Sequence, residues 1–286
     1  MNGRMSRHPK RVSTDLAAHH MAALAMCAIF KVAYITKCAM YAPPTGRRTT
    51  NDGQRANMEL EDNITRVRER IAAACRRAGR RPESIKLVAV SKTVPPLLIR
   101  RAFDAGVRDF GENRVQEAQN KRAALADLAA IWHLVGHLQT NKANSARELF
   151  HWVHSVDSVR VAQKLHQAPL CREDRLPVLI QVRLGDEPTK SGVQESEVLQ
   201  LAEQVSMLRT LELRGLMVLP PYFEDTEQVR PFFRRLRELA STIESAGLPN
   251  VAMQELSMGM SHDFEVAIEE GATIVRVGTA IFGERT

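Results

Sequence analysis

The stretch Ile85-Lys86-Leu87-Val88-Ala89-Val90-Ser91-Lys92-Thr93 decides how the chain is read. Ile85 and Leu87 to Val90 are apolar with a β-branched bias, the composition of a strand buried on both faces. Lys92 arrives where that strand must end, and Val94-Pro95-Pro96 opens a helix. In a chain that alternates strand and helix, chemistry collects at the carboxyl ends of the strands. A lysine there, backed by apolar strand and partly desolvated, is expected to have a lowered pKa and to act as an amine nucleophile toward an aldehyde. The alternative is that Lys92 snorkels to solvent at a strand end.

Outward from this stretch the same alternation continues. Before it, Leu60, Ile64, Val67, Ile71, Ala74 and Ala78 share one helical face, and Gly79 stops the helix. After it come a helix from Pro95 to about Asp104, a strand at 107–110, the loop Gly111-Glu112-Asn113 and a charged helix over 114–129. Strands follow at 131–135, 152–156, 177–182, 213–219, 254–257 and 273–277. Helices are expected near 141–149, 158–167, 195–208, 226–246 and after Phe264. Eight alternations in about 230 residues predict an α/β fold of one domain, a (β/α)8 barrel of the TIM type. A doubly wound open sheet is the alternative, and no second domain is left over.

Charge and cysteines narrow the function classes. The chain has a formal net charge of +7, but residues 1–57 hold nine basic residues against two acidic ones, so residues 58–286 are balanced. The body therefore gives no electrostatic reason to expect nucleic acid. Cysteines at 27, 38, 75 and 171 form no CxxC and no His/Cys cluster, which indicates neither a metal nor a disulfide framework and suits a reducing cytoplasm. The apolar run Met21–Phe30 is too short to span a bilayer and is followed by no convincing cleavage site. Pro43-Pro44-Thr45-Gly46 and Asn51-Asp52-Gly53 read as linker, and Met58 opens the amphipathic pattern. Residues 1–57 are thus expected to be a disordered or mis-called extension, with a targeting segment as the alternative, and 58–286 to be the barrel.

Two loops add the second half of a site. Ser257-Met258-Gly259-Met260-Ser261 and Arg276-Val277-Gly278-Thr279 follow the seventh and eighth strands. In a barrel those loops are the usual phosphate site, where glycine backbone amides meet an anion. Ser257, Ser261 and Thr279 add hydroxyl donors. Each loop alone is also explained as a tight turn. A reactive lysine on strand one with a phosphate cradle on strands seven and eight suits pyridoxal 5′-phosphate (PLP), anchored at both ends.

The segments AVSKT (89–93), FGENRVQE (110–117), WHLVGHLQTNK (132–142), TKSG (189–192), RGLM (214–217), ELSMGMSHDFEVAI (255–268) and VRVGTAIFG (275–283) carry a resemblance. In order and spacing they are similar to the YggS/PROSC family of PLP homeostasis proteins. The resemblance implies the barrel of the alanine racemase N-terminal domain, PLP fold type III, with PLP held as a Schiff base on Lys92. It places Ser257, Gly259, Ser261, Gly278 and Thr279 in the phosphate loops and Arg276 near the pyridine nitrogen. A permanently charged arginine there leaves that nitrogen unprotonated and weakens the ring as an electron sink. An ion pair inside the barrel is the other account of Arg276. Asn113 is implied to touch the cofactor ring, or else forms a turn. Lys190 matches an auxiliary PLP contact, or is an ordinary loop lysine. His137 stands where the family pattern varies, and Met217 reads as packing.

The implied function is to hold PLP, limit free aldehyde and supply apo-enzymes, acting as a monomer without nucleic acid or membrane. The contrasting expectation is a PLP-dependent, racemase-like enzyme, which needs an acid or base opposite Lys92. Tyr222 is the one weak candidate outside the extension, which holds Tyr34 and Tyr41.

Overall fold

The computed structural model describes residues 50–169, 175–185 and 191–284, with side chains from Met58 onward. Tyr34, Tyr41 and Lys190, and the expectations for residues 1–49, lie outside them. Gly53–Thr286 forms one compact unit.

The unit opens with α1 (Thr50–Arg77), so the backbone expected to be a linker at Asn51-Asp52-Gly53 is helical instead. Leu60, Ile64, Val67, Ile71 and Ala74 are buried along one face, as their spacing requires. Gly79 ends the helix with φ +63°, where Arg80 N–H donates to Cys75 O at 2.8 Å.

Strands and helices then alternate: β1 (Lys86–Val90), α2 (Pro96–Asp104), β2 (Asp109–Glu112), α3 (Val115–Ala124), β3 (Ile131–Leu134), α4 (Ala143–Leu149), β4 (Trp152–Val156) and α5 (Val159–Gln167). The second half holds β5 (Leu176–Arg183), β6 (Val193–Gln194), α6 (Val198–Ser206), β7 (Leu211–Val218), α7 (Arg230–Ser245), β8 (Val251–Ser257), α8 (Phe264–Glu269), β9 (Ile274–Val277) and α9 (Thr279–Phe282). All pairings are parallel, and the ring β1-β2-β3-β4-β5-β7-β8-β9 closes through β9 against β1. This is a closed eight-stranded TIM-type barrel. The two-residue β6 is a side branch on β5 that the sequence did not suggest.

Two differences from the expected elements have physical reasons. β2 runs two residues further than its apolar stretch, because Gly111 and Glu112 keep register with His133 and Leu134. α3 stops at Ala124, and Asp127 beyond it receives a bidentate bond from Arg100 at 2.6 and 2.7 Å.

Helices and strands enclose one large outer core, while Val88, Leu179, Met217 and Ile274 pack inside the barrel. Met217 is therefore packing. Gly215 is required by a close approach: a Cβ there would lie 1.7 Å from Glu255 O, beside a register shift between β7 and β8. Among the described residues no helix is long and apolar enough to cross a membrane.

The docking of α7 gives a stability test. Phe233, Leu236, Ala240 and Ile243 form its buried stripe, with Phe233 fully buried. Phe233→Ala is expected to cost about 3–5 kcal/mol, through lost transfer energy plus a cavity. Urea unfolding should show a clearly lowered midpoint; an unchanged midpoint would mean that α7 does not pack on the barrel as described.

Candidate functional site

The carboxyl ends of the strands enclose a cavity of about 390 Å³. Lys92 from the end of β1 and Asn113 from the end of β2 line one side. Ser261, Arg276, Gly278 and Thr279 from the β8 and β9 ends line the other. These six residues were singled out from sequence, and the fold brings them to one wall. The volume falls within the range of about 300–1,000 Å³ usual for small-molecule sites. Three larger depressions lie elsewhere, one by Arg183, Glu195 and Arg235, one beside α3 and α4, and one at the opposite end of the barrel by Lys86 and Arg108, and none joins a lysine to a pair of glycine loops.

The β8–β9 side is a set of converging donors. The N–H groups of Gly278 and Ala280 both donate to Ser261 Oγ, at 3.1 and 3.3 Å. Met260 N–H donates to Asp263 Oδ1 at 2.6 Å, which pins the loop that carries Ser261. Burial pushes the Asp263 carboxyl up, against the loop N–H and the charge of Arg276. Gly259 lies behind the wall, with φ +92°, and a Cβ on it would lie 2.7 Å from Ala267 Cβ. Its carbonyl accepts from Arg276 N–H at 2.9 Å, so it shapes the loop rather than facing the cavity.

Arg276 is buried, and burial lowers its pKa to about 10, partly offset by Asp263. One Nη donates to Ser257 Oγ at 2.6 Å and the other to Val218 O at 2.8 Å. Among the described residues no carboxylate is within ion-pair distance, so the alternative of a direct interior ion pair does not apply. Ser257 is fully buried and does not line the cavity; it supports Arg276 from below.

The β1 end is held by a second network. Ser91 Oγ–H donates to buried Glu112 Oε1 at 2.6 Å, and Lys121 Nζ donates to Glu112 and to Glu117 at 2.8 and 2.7 Å. Burial pushes the Glu112 carboxyl up, opposed by Lys121 and Ser91. Burial acts the same way on Glu117, but Lys121 and the N–H of Thr93 outweigh it and hold that carboxyl low. Thr93, directly after Lys92, takes φ +63°, a conformation costly for a β-branched residue. Both neighbours of Lys92 in the chain are thus fixed by α3 and β2 side chains. Asn113 is held by close contact too, since a Cβ on Gly136 would lie 2.3 Å from Asn113 O.

The cavity has walls that the sequence reading did not single out: Val90, Val135, Leu219, Met260 and His262. His262 sits inside a motif already quoted, but a loop residue has no periodicity to say which way it faces. Its Nε2 lies 3.1 Å from Phe223 O, so it carries the hydrogen there, and Tyr222 packs on the ring at 5.2 Å between centroids. Tyr222 is mostly exposed and is not part of the wall. His137 is outside the cavity, with Nδ1 3.1 Å from Asp157.

Comparison with known proteins agrees with this geometry. The family described as alanine racemase, N-terminal domain, matches residues 62–286. A pyridoxal phosphate homeostasis protein of Aquifex aeolicus is 47% identical over 228 residues, covering 80% of this chain and 99% of its own. The protein of that name in Escherichia coli K12 is 43% identical over 230 residues, covering 79% and 97%. The solved structure of PipY from Synechococcus elongatus, with PLP bound, superposes with a TM-score of 0.66 at 37% identity, covering 78% of this chain and all of that one. Alanine racemase of Corynebacterium glutamicum matches with a TM-score of 0.64 at 16% identity, covering 80% and 62%, a likeness of fold. By the family match and these identities, the chain belongs to the pyridoxal phosphate homeostasis protein family, built on the alanine racemase N-terminal barrel.

Proposed function

We propose that this chain binds PLP in the cavity at the carboxyl ends of β1, β2, β8 and β9, and so buffers and supplies the cofactor. The observation that carries the proposal is the shared cavity: Lys92 at one side, and Ser261, Gly278, Thr279 and Arg276 from the β8 and β9 ends at the other. The PLP-bound PipY structure and the relatives' names support the same ligand. When bound, PLP supplies an electrophilic aldehyde and a conjugated ring. Lys92 provides the amine that holds the aldehyde carbon as a Schiff base, with one water released. The loop amides and Ser261, with Thr279, bind the phosphate. Arg276, a donor only, gives the ring nitrogen no proton of carboxylic type and keeps it a poor electron sink. Asn113 positions the ring edge.

A holding and delivery role to apo-enzymes follows from that weak sink. A cytoplasmic setting fits the role, since Cys75 is buried and unpaired with another cysteine. One observation favours a second reading, a racemase-like activity: His262 lines the cavity, and its Nε2–H is committed to a backbone carbonyl, which leaves Nδ1 as a proton acceptor.

Two measurements decide these points. Purified protein with added PLP should show a visible absorption band that borohydride bleaches, with the reduced adduct on Lys92 by peptide mass spectrometry. Lys92→Ala should show neither, and a wild type that stays colourless would overturn the PLP reading. Separately, deuterium exchange at Cα across a panel of amino acids should run no faster than with free PLP. Exchange at catalytic rates that disappears in His262→Ala would establish the enzyme instead.

A further inference from the structure

A chain of buried polar side chains crosses the barrel interior beneath the cavity. Asp109 Oδ1 is 2.9 Å from His133 Nε2, and His133 Nδ1 is 3.0 Å from His154 Nε2. His154 Nδ1 is 2.9 Å from Ser257 Oγ, which accepts from Arg276 at 2.6 Å. His133, His154 and Ser257 are wholly buried. Asp109 lies at the opposite end of the barrel, on a cavity of about 430 Å³ shared with Arg68, Lys86 and Arg108. The chain therefore joins β2, β3, β4, β8 and β9, and it reaches solvent-lined space only at its two ends.

Its polarity is determined by donor and acceptor counting. An ionised Asp109 only accepts, so His133 carries its hydrogen on Nε2 and offers a bare Nδ1. His154 must then carry its hydrogen on Nε2 and offer a bare Nδ1 to Ser257. The Ser257 O–H donates to that nitrogen, and its lone pairs face Arg276. With both imidazoles neutral, no other assignment makes every contact a hydrogen bond. Burial, then the neighbouring His133 and the charges of Arg276 and Lys86, hold His154 well below its ordinary pKa. Burial also lowers His133, against the pull of Asp109 and Glu255. Both rings are thus neutral at neutral pH, as the counting requires.

We infer that Asp109, His133, His154 and Ser257 form a positioning relay that fixes the guanidinium of Arg276 at the cavity wall. The relay gives a buried cation a directional link to a carboxylate across the barrel. A displaced Ser257 hydrogen would instead point at the guanidinium and push it aside. The relay itself is a property of the free protein; only its consequence for cofactor binding rests on the PLP reading proposed above.

The test begins without ligand. Long-range proton–nitrogen NMR of histidine-labelled protein should find His133 and His154 both neutral with hydrogen on Nε2, and the Arg276 Nη–H signals slow to exchange. An Nδ1–H tautomer or a charged ring at either histidine at neutral pH would overturn the relay. Three variants then separate positioning from bulk. His154→Gln keeps one acceptor and one donor and should retain the protected Arg276 signals. His154→Phe, or Ser257→Ala if that variant does not fold, should lose them. With PLP, the two cut variants should bind about tenfold more weakly, the loss expected for one hydrogen bond to a charged group, with a shifted visible band. His154→Gln should stay near wild type. Folded cut variants with wild-type Arg276 signals, affinity and band would overturn the inference. A wild type that binds no PLP yet shows the predicted tautomers and protected signals would refute the functional proposal and leave the relay standing.

Discussion

Everything at the cavity depends on the pairing of β9 with β1. Lys86 to Ala89 run in register with Ile274 to Val277, which sets Val88 beside Arg276. That pairing closes the barrel and brings the strand that ends at Lys92 next to the strand that carries Arg276 and leads to Gly278 and Thr279. Parallel strands put every carboxyl end on the same face, so closure alone gathers the loops after β1, β2, β8 and β9 into one wall. An open sheet made of the same elements would leave β1 and β9 apart, and the amine would have no amides opposite it.

Closure also creates a problem that the polar side chains answer. Side chains inside the barrel are fully buried, and a buried charge without partners costs several kcal/mol. Two cations are nevertheless needed near the cavity. Lys121 lies under the β1 end with Glu112 and Glu117 against it, a direct pairing of opposite charges. Arg276 is treated differently: its partners are a serine hydroxyl and a carbonyl, and the nearest hydrogen-bonded route to a carboxylate passes through two neutral histidines. A carboxylate touching Arg276 would lock the guanidinium into that pair and compete with a ligand for its donors. Neutral partners hold it in place while leaving its charge to face the cavity.

This division explains what the sequence made legible. β1, β5 and the second half of β7 stand out as apolar runs because strand segments buried on both faces have no polar alternation, whereas β7 opens with the alternating Leu211-Glu212-Leu213-Arg214. Lys92, Ser261, Gly278 and Thr279 could be named because strand ends and glycine loops have local signatures, whereas Asn113 and Arg276 are legible only through the family resemblance. The end of β2 could not be named, since Glu112 is a buried carboxylate whose strand register with Leu134 and contacts with Ser91 and Lys121 all come from other elements. His133 and His154 read as ordinary members of their strands; their contact depends on the pairing of β3 with β4, which sets His133 beside Trp152. Ser257 and Gly259 share a motif with Ser261 yet lie one layer behind it, a distinction that residue type does not carry. The helix over Asn51-Asp52-Gly53 ran against composition, because turn-forming residues only bias the backbone and neighbours decide it.

The same constraints bear on whether the cavity holds a cofactor or uses it. Catalysis at Cα needs a proton acceptor on the ring face opposite the lysine and an electron sink to receive the charge. In the PLP complex proposed, Arg276 works against the sink, and the relay inferred beneath it works to keep it there. Besides Arg276, the wall's amine and imidazole groups are Lys92 and His262, and the Nε2 of His262 is tied to the β7–α7 loop with Tyr222 packed against the ring. A fold that sets three buried side chains and Asp109 behind an arginine, and leaves the opposing base to a solvent-exposed loop histidine, favours retention over turnover. On the function proposed, release requires only that water reach the Lys92 linkage and reverse it, and Met260 and His262, both exposed, border the cavity on the side where water enters.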